Sequence, residues 1–325
     1  MRIKRLLMLV VVGLLSLVLI GCGEKKIEIG ILQYADVLAL DEARQGFIDG
    51  LKDAGYEKGK NINITVLNPH GSFSETESMA KVLLRKSDLI LAIATPAASA
   101  VVTEAKDLNK KTPILFTAVT DPVEASLIDS NENPGGYVTG TNDMNPIKER
   151  IELARELLPE ATKLGILYTA AEENSQIQAN IAKIEAEKLQ FEVIIKTIDS
   201  INDIQQVAGQ LAKQVDLIYI PTDNAIISSI GIVNEVSIQQ KVPIVIAEEN
   251  TVITIPAVTL SISYYNLGYE TAQMAVQILK DGVKPKDIPA KGLTQNRLVV
   301  NKKLLESIGI TVPESILNRA DEVYE

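Results

Sequence analysis

Residues 89–102 read LILAIATPAASAVV. Leu89 to Ala94, entered from Asp88, has the unbroken apolar composition of a strand buried on both faces. Thr95-Pro96 then places an N-cap residue before a proline at the first helical position, so a helix is predicted to start here. The small side chains of Ala97 and Ala98 leave the first amides of that helix accessible. An anion placed there gains hydrogen bonds and the favourable end of the helix dipole, which makes a carboxylate the expected ligand group. A helix start that meets only water explains the same residues, because every α/β domain has such turns. The rest of the chain has to decide between them.

Outward from this stretch, apolar strands and amphipathic helices alternate, the pattern of parallel sheets wrapped by helices. Strands are predicted at Ile27 to Leu32, Asn61 to Leu67 and Ile114 to Ala118. Helices are predicted at Asp41 to Gly55, where Ala43, Phe47, Ile48 and Leu51 recur at helical spacing, and at Glu75 to Arg85. Asp121-Pro122-Val123-Glu124 predicts one more helix through a capping-box-like pair.

A second round begins at Leu164 and echoes the first. Lys26 to Leu32 is matched by Lys163 to Tyr168, Ser87-Asp88-Leu89-Ile90 by Val215-Asp216-Leu217-Ile218, and Lys111-Thr112-Pro113-Ile114 by Lys241-Val242-Pro243-Ile244. Three echoes in one order point to two similar lobes. After Glu248 only a strand (Val258 to Ile262), a helix (Leu267 to Lys280) and a last strand and helix (from Leu298) remain, so these pieces complete sheets already begun. The fold expected is therefore α/β, two doubly wound parallel-sheet lobes joined by a three-crossing hinge. The crossings are expected near Asn142, near Ser263 and between Lys284 and Pro289. That divides the chain into 27–142 plus 264–284 for lobe 1 and 143–263 plus 285–325 for lobe 2, with a ligand cleft between them.

In parallel α/β sheets ligands bind beyond the carboxyl ends of strands. Those ends carry Gln33-Tyr34, Thr95 to Ala98, Thr117 to Asp121, Tyr168, Glu173-Asn174-Ser175, Thr222-Asp223-Asn224, Glu248 and Ser263-Tyr264-Tyr265. Aromatic residues make up only 4% of the chain, so the gathering of tyrosines at strand ends is a bias worth using. A tyrosine offers a flat apolar face and a hydroxyl, which suits a planar ligand, although each ring could instead cover the rim of its own lobe. Asp223 ends a buried strand, where it can pair with an amine or cap the helix that follows. Glu248 and Glu249 compete for the amine.

The order of Gln33, Leu40-Asp41 with Gly46-Phe47, Ala94 to Ala98, Phe116 to Pro122, Gly136 with Thr139-Gly140, Leu167-Tyr168, Glu173-Asn174-Ser175, Tyr219 to Asn224 and Tyr264 to Gly268 resembles the tryptophan/tyrosine-type ABC transporter substrate-binding lipoproteins. The resemblance covers nearly the whole mature chain. It implies a type I periplasmic-binding fold, a two-lobed clamp that closes on a small ligand, often an aromatic amino acid, and delivers it to a permease. The family-type contacts it carries over fall on Gln33, Thr95, Ala97, Ala98, Thr117, Tyr168, Glu173, Asn174, Asp223 and Tyr264. Tyr34 and Glu248 join them as strand-end candidates. The chain departs from the family at Val37-Leu38, where a His-Pro pair is common, at Ser263, where an acid is common, and at Ile253 to Pro256, which is more apolar than the usual glycine-containing turn.

The N-terminus gives the address. Arg2, Lys4 and Arg5 precede an apolar run from Leu6 to Ile20, the order of an export signal, and the run is short for a membrane span. Leu19-Ile20-Gly21-Cys22 resembles a bacterial lipobox, so residues 1–21 are expected to be removed. Cys22, the single cysteine of the chain, is then lipidated, with 22–26 as a tether to the cell membrane. Loss of residues 1–21 removes three of the 32 basic residues and no acid, leaving a net charge of −13. That balance speaks against nucleic acid or an anionic surface as partner.

Rival classes find little support in the residues. His70 is the single histidine and sits in a turn-like stretch, so a Ser/His/Asp triad would depend on it alone. A His/Cys metal site and a phosphate loop are both missing, and no cofactor or metal is expected. A sugar or nucleoside receptor, or a sensory lipoprotein, could share the scaffold, but no arginine stands at the strand ends to make the fork contacts a sugar cleft uses. The expected partners are a small ligand, by preference an amino acid, and a permease, with the protein a monomer.

Overall fold

The computed structural model describes residues 26–144 and 146–325. The expected export signal and Cys22 lie outside the described residues. Strands β1 (Ile27–Gln33), β2 (Ile62–Leu67), β3 (Leu89–Ile93), β4 (Ile114–Val119), β5 (Val138–Asn142) and β11 (Lys291–Gly292) form one sheet, in the order β11-β5-β4-β3-β1-β2. Strands β6 (Lys163–Thr169), β7 (Glu192–Ile198), β8 (Leu217–Ile220), β9 (Ile244–Ile246), β10 (Ala257–Ser261), β12 (Arg297–Asn301) and β13 (Glu322–Tyr324) form the other, in the order β13-β12-β10-β9-β8-β6-β7. The run 5-4-3-1-2 in the first sheet repeats as 10-9-8-6-7 in the second, and the three sequence echoes fall on β1/β6, β3/β8 and β4/β9. Within these runs every pairing is parallel; β12 lies antiparallel to β10. The result is the α/β architecture of two similar doubly wound sheets.

β3 is buried at every residue, as an unbroken apolar strand between two helical layers must be. Its successor α3 (Thr95–Asp107) starts where expected, but Thr95 is the first helical residue and not the cap. The capping position falls on Ala94, with φ +81°, and no side chain caps this helix. Asp121 to Glu124 forms turns in place of the expected helix. Asp121 Oδ1 accepts from Val123 N (3.0 Å) and Glu124 N (3.1 Å), and Ser126 at φ +54° then breaks the helical path. The capping signal was real, but it closes only a turn.

The chain leaves the first sheet after β5, returns after β10 through α9 (Tyr264–Asp281), and leaves again after β11. The third crossing therefore lies at residues 293–296, beyond the expected Lys284 to Pro289. Residues 285–292 stay with the first sheet because β11 pairs with β5, Thr139 Oγ1 donates to Ile288 O (2.6 Å) and Ala290 N to Asn131 O (2.8 Å). The expected assignment of 285–292 to lobe 2 is thus corrected; a strand of two residues carries almost no periodicity to reveal it.

α9 closes the first lobe by crossing α1 (Leu38–Asp53) at backbone contact. A Cβ on Gly268 would stand 1.8 Å from Ala43 O, and one on Gly46 2.0 Å from Tyr265 O. The Gly268→Ala substitution is expected to cost about 1 to 3 kcal/mol, because the two helices must separate to admit it. Urea unfolding checks this, and an unchanged midpoint would contradict the close crossing.

Candidate functional site

The carboxyl ends of β1, β3 and β4 face those of β6, β8 and β9 across a cavity. The backbone itself is shaped for it. Ala94 (φ +81°) and Ala118 (φ +55°) are both non-glycine residues in the left-handed region, and both line the cavity. Ala118 sits where the β4/β5 register shifts between Phe116 and Val119, a bulge that turns Ala118 and Thr120 toward the other lobe. Such backbone conformations cost energy and cluster at ligand sites.

Five of the twelve ligand-contact candidates line this cavity: Thr95, Asn174, Asp223, Glu248 and Tyr264. Thr95 stands at the start of α3, in the first turn that the sequence marked for a carboxylate. Tyr264 opens α9, is buried, and its hydroxyl donates to Asp143 Oδ2 (2.8 Å). Ser263 just before it accepts from Asn266 N (3.2 Å), so the residue that departs from the family caps the helix. Val37, the other departure, lines the cavity, while Leu38 beside it is exposed.

The other seven candidates stand back from it. Gln33 is buried beneath the cavity, donating to Ala35 O (2.9 Å) and Asp41 Oδ1 (3.0 Å) while Arg44 donates to its carbonyl. Thr117 is tied to Thr141 (3.0 Å), which in turn meets Thr271 (2.8 Å). Ala97 and Ala98 are fully buried in the first turn of α3. Tyr34 donates to Gly71 O (2.9 Å), packs on Phe73, and is held well above its ordinary pKa by burial and by the nearby Glu172 and Asp223. Tyr168 packs among the apolar side chains of the second lobe. Glu173 is exposed and lines an adjoining cleft that shares Thr95 and Asn174 with the first.

The inward-facing member of the Glu172-Glu173 pair is Glu172. Its carboxylate accepts from Asn224 N (3.0 Å), Asn224 Nδ2 (2.7 Å) and Ala225 N (2.9 Å), bracing the start of α7 (Asn224–Ser228). Burial, with Asp223 adjacent, pushes it up to about 8. Asp223 caps the same helix through Ile226 N (2.9 Å) and holds Thr169 through its N (2.6 Å) and Oγ1 (2.8 Å). Both of its oxygens are therefore occupied. The capping alternative for Asp223 is realised, and its burial also raises its pKa.

Glu248 is placed differently. Its Oε1 accepts from Ala39 N (3.1 Å) at the start of α1, a bond from one lobe to the other, while its Oε2 is buried without a partner among the described residues. Burial, with Glu42 and Glu249 nearby, pushes its pKa up to about 7. Thr95 Oγ1, Asp143 Oδ1 and Asn174 Oδ1 are likewise buried and unpaired, and all four unpaired atoms belong to residues lining the same cavity. Unsatisfied buried polar atoms are rare in folded proteins, and four around one space describe a polar ligand's contacts. Among the described residues no basic side chain lines the cavity, so a carboxylate must rely on the α3 amides, whereas Asp143, Asp223 and Glu248 form an acidic wall.

The lobes also touch directly. Gln178 on α5 (Glu173–Lys188) donates to Thr120 Oγ1 (3.0 Å) and accepts from Thr222 N (3.1 Å), and Asn250 donates to Glu42 (3.0 Å). Asp143, Glu172 and Gln178 are not among the candidates the sequence offers, whereas Thr120 falls within the strand end Thr117 to Asp121. Asp143 lay one residue past the crossing already marked at Asn142, which was the one signal available. His70 stays at the exposed rim against Asp36, and among the described residues no His/Cys/Asp/Glu cluster could hold a metal.

Comparison with known proteins agrees with this architecture. The tyrosine-binding protein of Clostridioides difficile (strain R20291) is 37% identical over 323 residues, covering 94% of this chain and 92% of that one. The structure of an ABC domain in complex with L-Trp from Streptococcus pneumoniae superposes with a TM-score of 0.84 at 35% identity, covering 91% and 99% of the two chains. The ligand-free, open structure of a substrate-binding protein with adhesive properties from Clostridium difficile superposes with a TM-score of 0.69 at 35% identity, covering 92% and 99%. The family model for ABC transporter substrate binding proteins matches residues 28–324, nearly all of the described chain. The chain belongs to the ABC transporter substrate-binding protein family.

Proposed function

We propose that the protein captures an aromatic amino acid between its lobes and hands it to a membrane permease. The observation that carries this reading is the set of four buried, unpaired atoms around one cavity: Thr95 Oγ1 at a helix N-terminus, Glu248 Oε2 and Asp143 Oδ1 on the acidic wall, and Asn174 Oδ1. A zwitterion matches that polarity, with its carboxylate at the α3 start and its ammonium on Glu248. Tyr264, Val37, Leu40 and Ile227 supply a largely apolar enclosure for a side chain. The tyrosine-binding and tryptophan-bound relatives support the aromatic choice.

The lobes act as a clamp in this account. Superposition is better on the tryptophan complex than on the ligand-free open structure, and the Ala39–Glu248, Gln178–Thr120 and Asn250–Glu42 bonds are ones that opening would break. Binding rather than catalysis is the role this assigns, and the lipobox-like Cys22 would hold the receptor at the outer face of the cell membrane. A thermal-shift panel of amino acids, sugars and nucleosides tests the ligand class, since a ligand that binds only the folded state raises the melting temperature. Tyrosine or tryptophan should stabilise the protein. Stabilisation by a sugar or nucleoside, with no response to amino acids, would overturn the ligand while sparing the family.

A further inference from the structure

The net negative charge, which speaks against an anionic surface as partner for the chain as a whole, is unevenly spread and does not exclude one for a single pole of the first lobe. The segments leading into four neighbouring strands of the first sheet are basic: Lys26 before β1, Lys58 and Lys60 before β2, Arg85 and Lys86 at the end of the helix before β3, and Lys110 and Lys111 before β4. The acids in those segments are fewer and partly engaged. Glu57 pairs with Lys60 (2.7 Å), Asp88 accepts from Glu28 N (2.9 Å), and Asp107 is left. Beside β4 this pole opens into a groove edged by Lys106, Lys110 and Lys111. Among the described residues none of these three lysines forms an ion pair; Lys111 lies 5.9 Å from the ring centroid of Tyr137. Tyr137 is 41% exposed, Val123 on the same groove 37% and the adjoining Leu108 36%. Asp129 is the acid on the groove wall.

The described chain begins at this same pole. Lys26 leads into β1, and β1 is two strand spacings from β4, roughly 10 Å across the sheet. From Lys26 back to Cys22 is four residues, at most about 14 Å when fully extended. We propose that the lysine-edged pole of the first lobe rests on the anionic phospholipid surface to which Cys22 tethers the chain, with Lys106, Lys110 and Lys111 on headgroups and Tyr137 at the interface. The proposal rests on the lipid-anchor reading. Lysines gain energy near an anionic surface, and a tyrosine ring suits the boundary between water and lipid. The ligand cavity lies beyond the opposite, carboxyl ends of the same strands, so this contact does not cover it.

The test uses the full, lipidated chain on vesicles of phosphatidylcholine alone or mixed with phosphatidylglycerol, with lysine acylation read residue by residue by mass spectrometry. On anionic vesicles at low salt, acylation of Lys106, Lys110 and Lys111 should slow about fivefold, the change equivalent to about 1 kcal/mol per residue near such a surface. High salt should restore it, and exposed Lys213 and Lys241 on the second lobe should not respond. Flotation with neutral vesicles, lost in Cys22→Ala, reports the anchor separately. Flotation with equal acylation on both vesicles overturns the pole contact and leaves the anchor standing. Failure of the wild-type chain to float overturns both. Protection seen on isolated cell membranes but on neither vesicle would assign the pole to an acidic protein or polymer and overturn the lipid assignment.

Discussion

Replacing Glu248 with alanine is expected to weaken capture of an aromatic amino acid by about 2 to 5 kcal/mol, the cost of leaving a desolvated ammonium without its counter-charge. That is on the order of a thirtyfold to several-thousandfold rise in Kd. The expectation rests on Glu248 Oε2, a buried oxygen of the acidic wall left unpaired beside Oε1, which Ala39 holds; Asp143 Oδ1 is the other unpaired oxygen there, beside Oδ2, which accepts from Tyr264. Glu248→Gln keeps an acceptor for Ala39 and removes the charge, so it should weaken binding by less and leave the melting temperature of the free protein intact or raised. Titration calorimetry on the two variants checks both statements. Full-strength binding by Glu248→Ala would move the ammonium elsewhere on the wall.

Asp223→Ala should act first on stability. Its carboxylate caps α7 through Ile226 N and satisfies both the N–H and the hydroxyl of Thr169, all in a fully buried position. A lost cap costs about 1 kcal/mol and a buried donor left unpaired about 1 to 3 kcal/mol, so a loss of about 2 to 4 kcal/mol in denaturant unfolding is expected. Asp223→Asn, which still offers an acceptor, should recover part of it. If Asp223→Ala left stability unchanged and abolished binding, Asp223 would be the ammonium partner and Glu248 the structural acid.

The residues that the sequence displayed well are those whose job follows from periodicity. Buried strands such as Leu89 to Ile93, their echoes in the second lobe, and the strand ends that follow them could be read because apolar runs report burial directly. That placed Thr95, Asn174, Asp223, Glu248 and Tyr264 around one cavity. What stayed hidden depends on direction within a turn. Glu172 and Glu173 are adjacent and chemically alike, and only the amides of Asn224 and Ala225, some fifty residues on, draw the first inward. Asp143 lies in a polar crossing with no periodicity at all. Thr95 looked like a cap, yet the left-handed backbone of Ala94 takes the capping position and leaves the threonine hydroxyl to the cavity. Asp121 capped as its sequence said, but a cap does not guarantee that a helix follows.

The raised carboxyl groups give the site a pH signature. With Glu248 pushed up to about 7 and Glu172 to about 8, the folded protein holds protons that the unfolded chain releases near pH 4.5, so these groups favour folding at acid pH and lose that contribution as pH rises toward 8. An ammonium seated on Glu248 reverses the sense for binding, because it favours the carboxylate and expels the proton. The most direct measurement is therefore calorimetric titration of tryptophan and tyrosine near pH 6 in two buffers of different ionisation enthalpy, repeated near pH 8. The account expects release of up to about one proton near pH 6, affinity that climbs by at most about tenfold per pH unit up to about 7, and loss of the proton signal in Glu248→Gln. Binding with no proton release at either pH, or release undiminished in Glu248→Gln, would contradict an amino acid held by its ammonium on this carboxylate.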